Sequence, residues 1–312
     1  MKPVIIKHKL FEPKFGGEEL AAINIVLKSG YLTQGPKVAE LEGAFASYIG
    51  APYAVAVNSC TSALFLCLLL EKLKNGQLLV ECPSVTFVSV ANMILNAGHL
   101  LKFVDNNSVG VMYGLNNTKI IDSAHQCEMD MYLKGTRMCF SFYPIKMLGG
   151  AEGGMIALDN KADYEWLKQM RSNGMERKGM FDWDYTVNLQ GWKMNMTDLQ
   201  AIILLTRLEK LADFNAKRAE IRNIYNGEFE LANLSLHLYP IFVKNRNKFI
   251  KQMIKEGIGT SVHFKPIHLQ PAYQCYNYNL PYSEWWGEHE VSIPLHENLS
   301  LDDAQIIIDA VK

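Results

Sequence analysis

The chain has 312 residues, 49% of them hydrophobic, which is enough to bury a large core and to divide into a large and a smaller domain; a peptide-sized binding module is excluded. Its 31 basic and 32 acidic residues are interspersed, leave a formal net charge of −1 and form no basic tail, which argues against a nucleic-acid or other polyanionic partner. The longest apolar stretch, 63–70, is far too short to span a bilayer, so no membrane segment is expected.

The opening MKPVIIKHKLFEPKFGG breaks its apolar residues with charges and offers no small-residue cleavage site, so it does not read as a signal peptide. Over 17–49 apolar residues recur at helical spacing around a break, SGYLTQGP, predicting two helices joined by a turn. A short β-type run, Tyr53–Val57, leads into Asn58-Ser59-Cys60-Thr61-Ser62 and the helical run ALFLCLLLEKL. Strand, small polar cluster and helix in that order suit an anion site, because free N–H groups at a helix start face whatever lies beyond the strand end. Three further β-type runs, QLLVECP, LLKFVD and KIIDSAH, enclose a helical segment at 87–97, and RMCFSFYPIKMLGGAEGGMIALD reads as two strands around a Gly-rich loop. Alternating short strands and helices predict an α/β fold with a three-layer, mostly parallel sheet. A long helical region comes next, from Thr197, a candidate N-cap, to about Phe229. HLYPIFV, the helix FIKQMIKEG, IGTSVHF and a last helix from Leu301 then make an α+β tail. The predicted division is a large domain over 1–229 and a small one over 230–312. Six cysteines (Cys60, Cys67, Cys82, Cys127, Cys139, Cys275) show no CxxC spacing, which points to a reduced, cytoplasmic setting and no structural metal.

Several residues could carry chemistry. Lys146 comes after a β-type run and precedes a loop with four glycines, where backbone can approach a bound group; such a lysine could form a Schiff base with an aldehyde cofactor, or be an exposed loop lysine. Asp122 ends the strand KIID, where α/β folds place ligand contacts, and could equally serve as a helix N-cap there. His125 lies three residues on and could stack near the same ligand. Thr61, Ser62 and the Cys60 amide fit a phosphate cradle or an ordinary helix cap, Ser141 could add a hydroxyl, and Phe87 could stack on a flat ring or lie in the core.

Taken in order, the blocks VLKSGYLTQGPKVAELEGAFASYIGAPYAVAVNSCTSALFLCL, CPSVTFVSVANMILNAG, IIDSAHQ, SFYPIKMLGGAEGG, GWKMNMTDLQAIILLTRL and VHFKPIHLQPAY make the chain resemble the DegT/StrS-type sugar aminotransferases, which have the type I fold of pyridoxal-phosphate enzymes. The resemblance implies pyridoxal 5'-phosphate as cofactor, with Lys146 forming the Schiff base and shuttling the proton between cofactor and substrate carbons. It further implies that Asp122 pairs with the pyridine nitrogen, that Phe87 covers the ring with His125 near it, and that the Cys60 amide, Thr61 and Ser141 hold the phosphate. Lys193, in the GWKMNM block, would reach a neighbouring subunit's phosphate, so a homodimer with shared sites is implied. The implied substrates are an amino-acid donor, typically glutamate, and a nucleotide-linked keto-deoxysugar. His263, Lys265 and His268 fall near the substrate mouth by the same resemblance and are given no catalytic role.

Three departures from the family pattern stand out. Cys60 replaces the glycine of the phosphate turn, and Lys193 replaces an asparagine. Between Asp105 and Asp122 the chain is short by one βα unit of about 30 residues. Only LNNT separates VGVMYG from KIID, whereas a parallel crossover needs about a dozen residues, so either a sheet strand is missing or that pair is not parallel. Two competing readings are a non-catalytic partner subunit of the same fold and a sugar dehydratase; relatives of the second kind carry histidine where this chain has Lys146.

Overall fold

The computed structural model describes residues 5–106, 108–177, 183–276 and 278–312. The first four residues of the opening segment and the Cys275 side chain lie outside the described set, and the other five cysteines are free thiols.

The two N-terminal helices form as predicted, α1 (Gly17–Ser29) and α2 (Pro36–Ile49). The first stops because Gly30 takes a left-handed φ of 77°, and the second starts on Pro36, whose fixed φ suits a first helical position. Its free amides are satisfied from far along the chain: the Asp198 carboxylate accepts from Gly35 (2.9 Å), Val38 (3.0 Å) and Lys37 (3.1 Å).

Next come β1 (Tyr53–Val57), α3 (Cys60–Asn75), β2 (Leu79–Pro83), α4 (Ser89–Asn96) and β3 (Leu100–Val104). A short pair, β4 (Tyr113–Gly114) and β5 (Ile120–Asp122), precedes β6 (Arg137–Ser141), β7 (Gly154–Leu158), α5 (Lys161–Met170), β8 (Met175–Arg177) and β9 (Tyr185–Val187). The long helical region is two helices, α6 (Asp198–Leu208) and α7 (Leu211–Phe229); Thr197 caps the first in a reciprocal box with Gln200. The tail holds β10 (Tyr239–Phe242), α8 (Arg246–Lys255), α9 (Pro281–His289), β11 (Glu290–Ile293) and α10 (Leu301–Val311). The β-type run IGTSVHF forms no strand but two isolated bridges, Ile258 to His8 and Ser261 to Ser292, while α9 and β11 lie where no element was predicted.

The expectation of a mostly parallel sheet is corrected. The central sheet runs β1-β7-β6-β5-β4, and only β5–β6 is parallel within it; β1–β7, β7–β6 and β5–β4 are antiparallel. The parallel pair β2–β3 forms its own two-stranded sheet. The Gly-rich loop returns β7 beside β6, and the two pair antiparallel.

The shortened segment resolves in the same way. Five residues cannot carry a parallel crossover, so β4 and β5 form a tight antiparallel hairpin, closed by the Leu115 amide on the Ile120 carbonyl at 2.9 Å. Its tip knits the central sheet to β2: Asn116 bridges Glu81, and Asn116 and Asn117 donate side-chain amides to Glu81 and to the Leu79 carbonyl, each at 2.9 Å. Two residues of β4 thus stand where a full strand was expected.

Alternate residues of the central strands fill two cores. Val55, Val57, Ile156 and Leu158 face α3, α4 and α5, while Ala54, Ala56, Met155 and Ala157 face α2 and α6. With both faces dry, the strand ends are the place where polar side chains can gather. A third cluster joins Ile221 and Tyr225 of α7 to β10, β11 and α10.

Candidate active site

The carboxyl end of β5, the amino end of α3 and the loop between β6 and β7 converge on a cavity of about 510 Å³. Cys60, Thr61, Phe87, Asp122, His125, Ser141 and Lys146 all line it, so seven side chains or amides singled out in the sequence meet at one place. Lys193 does not: it lies in a separate surface groove with Gln34, Ser172 and Asn195, where Nζ donates to the Asn195 side chain at 2.6 Å.

One wall is the start of α3. Ser59 caps it, its Oγ accepting from the Ser62 amide at 3.1 Å, and Ser62 donates to Asn58 Oδ1 at 2.7 Å, so Ser59 and Ser62 are spent on the turn. The amides of Cys60 and Thr61 precede the first helical bond, made by Ala63 to Ser59, and stay available with the Thr61 hydroxyl. A helix of 16 residues adds its dipole to these donors, an arrangement suited to a phosphate. Cys60 is the first residue of the helix and needs no glycine-only conformation, so the family's glycine is dispensable there. Burial pushes its thiol well above the usual range, assisted by the Asp122 charge, so it is a neutral wall group.

The close approach of β7 to this helix start depends on Gly154. A Cβ there would lie 2.5 Å from the Ser59 carbonyl carbon and 2.6 Å from the Cys60 nitrogen, both backbone atoms. Gly154→Ala is expected to lower stability by about 1–3 kcal/mol and to weaken phosphate-group binding more than about tenfold, checked by thermal melting and cofactor titration.

The opposite wall holds the charged pair. Lys146 sits in a turn closed by its own amide on the Tyr143 carbonyl at 2.8 Å, and Gly149 packs where a Cβ would meet the Pro144 carbonyl oxygen at 2.1 Å. Burial lowers the Lys146 ammonium from its ordinary value of 10.5 to about 8, against the pull of Asp122, so a reactive free amine is accessible near neutral pH. Asp122 is buried, and burial raises its carboxyl above the usual range. The Ala124 amide, donating to Oδ1 at 2.9 Å, the Tyr113 hydroxyl, donating to Oδ2 at 3.0 Å, and the Lys146 charge all oppose that rise.

The remaining wall is flat and apolar. His125 stacks on Phe264 (centroids 5.7 Å, 19° between planes) and leans on His237 at 5.0 Å, and burial with the nearby Lys146 charge holds both imidazoles well below their usual range, hence neutral. Phe87 stands at the mouth, 56% exposed, edge-on to Phe264.

Of the three tail residues without an assigned role, His263 lines the cavity. His268 is buried elsewhere, bonded to Ser84 Oγ at 2.6 Å, and Lys265 is exposed outside it. Tyr113, Thr86, His237 and Phe264 also line the cavity and went unnoticed in the sequence. Tyr113 alone had a local cue, since it ends the apolar run of the shortened segment. Among the described residues there is no group of three or more His, Cys, Asp or Glu that could hold a metal, and no helix long and apolar enough to cross a membrane.

The model of the DegT/DnrJ/EryC1/StrS aminotransferase family matches residues 13–116 and 133–312. The unmatched stretch, 117–132, contains Asp122 and His125, so their placement rests on β5 lying beside β6 at the cavity. The spore coat polysaccharide biosynthesis protein SpsC of Bacillus subtilis is 31% identical over 370 residues, covering 96% of this chain and 95% of that protein. That span exceeds the 312 residues present here, so the relative carries segments this chain lacks. The crystal structure of the sugar aminotransferase CalS13 from Micromonospora echinospora superposes with a TM-score of 0.87 at 22% identity, covering 97% of this chain and 99% of that one. A chain described as a sugar aminotransferase from Streptococcus pneumoniae, in its PLP form, gives 0.83 at 23% identity with 97% of each chain covered.

Proposed function

The chain belongs to the DegT/DnrJ/EryC1/StrS aminotransferase family, whose cofactor is pyridoxal 5'-phosphate, and on that premise we propose that it transfers an amino group from glutamate to the ketone of a nucleotide-linked deoxysugar. The observation that carries the reading is that Lys146 and Asp122 share one cavity with the free amides of a helix start.

Bound there, pyridoxal phosphate supplies an aldehyde and an electron-withdrawing ring that stabilises negative charge on the substrate carbon. Nζ of Lys146 would hold the cofactor through its aldehyde and, as a free amine, would accept and return the substrate's proton. Its lowered affinity for a proton suits both tasks. Asp122 would keep a proton on the ring nitrogen, the condition under which the ring serves as an effective electron sink. The Cys60 and Thr61 amides and the Thr61 and Ser141 hydroxyls take the phosphate. His125 and Phe87 would flank the ring, and the neutral histidines with Phe264 would limit the access of water to the same contacts. Lys193, outside its own chain's cavity, would serve the phosphate of a second copy, which is the reason to expect a working homodimer.

Lysine at position 146 favours transamination over the dehydration that histidine-bearing relatives perform, and the retained set of Lys146, Asp122, Phe87 and Ser141 weighs against a non-catalytic subunit. The test is the absorbance spectrum of the purified chain with pyridoxal phosphate, before and after glutamate. A visible band that fades on adding glutamate, with release of 2-oxoglutarate, is expected; a chain that never becomes yellow would hand the reading to the non-catalytic subunit. A panel of nucleotide-linked keto sugars then identifies the acceptor.

A further inference from the structure

The shortened segment does more than close the sheet. Tyr113, at the start of β4, sits opposite Asp122 in the hairpin register, and its hydroxyl lies 3.0 Å from Asp122 Oδ2 and 2.7 Å from Thr86 Oγ1. A phenol has one proton. Since that proton goes to the carboxylate, Thr86 must donate to the Tyr113 oxygen, and the three groups form a one-way chain of donors ending on Asp122. With the Ala124 amide on Oδ1, each carboxylate oxygen takes one protein donor and keeps a lone pair for a further one. Thr86 and Asp122 are buried, and Tyr113 is half-buried between them. The hairpin that replaces the missing βα unit therefore delivers a hydroxyl to the carboxylate on which the cofactor reading depends.

We propose that Tyr113 is a positioning residue for Asp122, holding the carboxylate charged and oriented so that it can bind the protonated ring nitrogen of pyridoxal phosphate. The inference rests on the cofactor reading above and deepens it. Three groups lower the cost of the buried charge: the Ala124 amide, fixed by the backbone, the Lys146 charge acting without a hydrogen bond, and the Tyr113 hydroxyl. The Tyr113–Thr86 arm is the only one of them that side chains other than the catalytic lysine supply.

The test compares two ligands in wild type and in Tyr113→Phe: pyridoxal phosphate, and its carbocyclic analogue in which CH replaces the ring nitrogen. In the variant the dissociation constant for pyridoxal phosphate is expected to rise about tenfold, the size of one lost hydrogen bond to a charged group, while that for the analogue changes less than about twofold. Equal losses for both ligands would mean that Tyr113 only supports packing, and no loss for either would mean that Asp122 needs no help; each overturns the inference. Should the phenylalanine variant not fold, Thr86→Val makes the same comparison, with a rise of about threefold expected for pyridoxal phosphate alone, and equal or absent changes overturning it. Wild type that binds neither ligand would overturn the cofactor reading and this inference with it, an outcome distinct from a selective failure in the variants.

Discussion

Lys146→Ala is expected to abolish glutamate-dependent turnover, with a fall of about 10³–10⁴-fold or more, because in the proposed mechanism one residue both holds the aldehyde and moves the proton. The variant should still bind pyridoxal phosphate through the α3 amides and Asp122, but borohydride should no longer fix the cofactor to the protein. Added small primary amines should restore part of the activity, since they can replace the missing proton carrier but not its position. Full activity in the variant would remove the mechanism. The pH dependence comes from the shift: the wild-type amine loses its proton near pH 8, so the rate at which the cofactor-free chain captures pyridoxal phosphate should rise up to about pH 8 and level off there. A solvent-exposed lysine would go on gaining reactivity toward about pH 10.4.

The same shift has a consequence for stability. Because the folded-state pKa lies below the unfolded one, the unfolded chain binds more protons between about pH 8 and the ordinary lysine value of 10.5, so stability gains as pH rises through that window, and Lys146 costs stability below it. Lys146→Met, which keeps the stem and removes the charge, is therefore expected to raise the melting temperature of the cofactor-free chain at pH 7 while destroying activity. A lower melting temperature would contradict the burial cost assigned to this ammonium.

Asp122→Asn should have the second largest effect, about 10²–10³-fold on kcat, the scale of removing one preorganised electrostatic partner. The amide fits the same space: its oxygen can keep the Ala124 N–H, and its NH₂ can donate to Tyr113, whose hydroxyl then turns to Thr86. Fold and phosphate contacts should thus survive, while both kcat and the affinity for pyridoxal phosphate fall, the latter by at least the loss expected of Tyr113→Phe. Asp122 also has its folded pKa raised, so the unfolded chain ionises first and burial of the carboxylate costs stability once pH exceeds the ordinary carboxylate range. The asparagine variant should accordingly melt no lower than wild type at pH 7; a clear drop would mean that the carboxylate is chiefly structural.

The part of this protein that its sequence determined alone was local. Gly30 and Pro36 end one helix and start the next, Thr197 and Gln200 make a capping box, and a lysine lies between a strand and glycines that backbone contacts require, because turn chemistry and periodicity are carried by neighbours along the chain. The residues Cys60, Thr61, Asp122, Ser141 and Lys146 were legible for the same reason: each stands at the end of a readable element, and the ends of strands buried on both faces must meet. Strand direction was legible at one place only, where the short LNNT link leaves no room for a parallel crossover to β5; the antiparallel pairs β1–β7 and β6–β7 carry no such sign along the chain. Nor could the sequence separate His263, which faces the cavity, from His268, which is spent on Ser84, since both lie in one apolar stretch and differ only in what the rest of the chain brings against them. Contacts such as Thr86 to Tyr113 to Asp122 span three segments, and the tertiary structure alone decides them, because a hydrogen bond is made by position in space and leaves no pattern in any one segment.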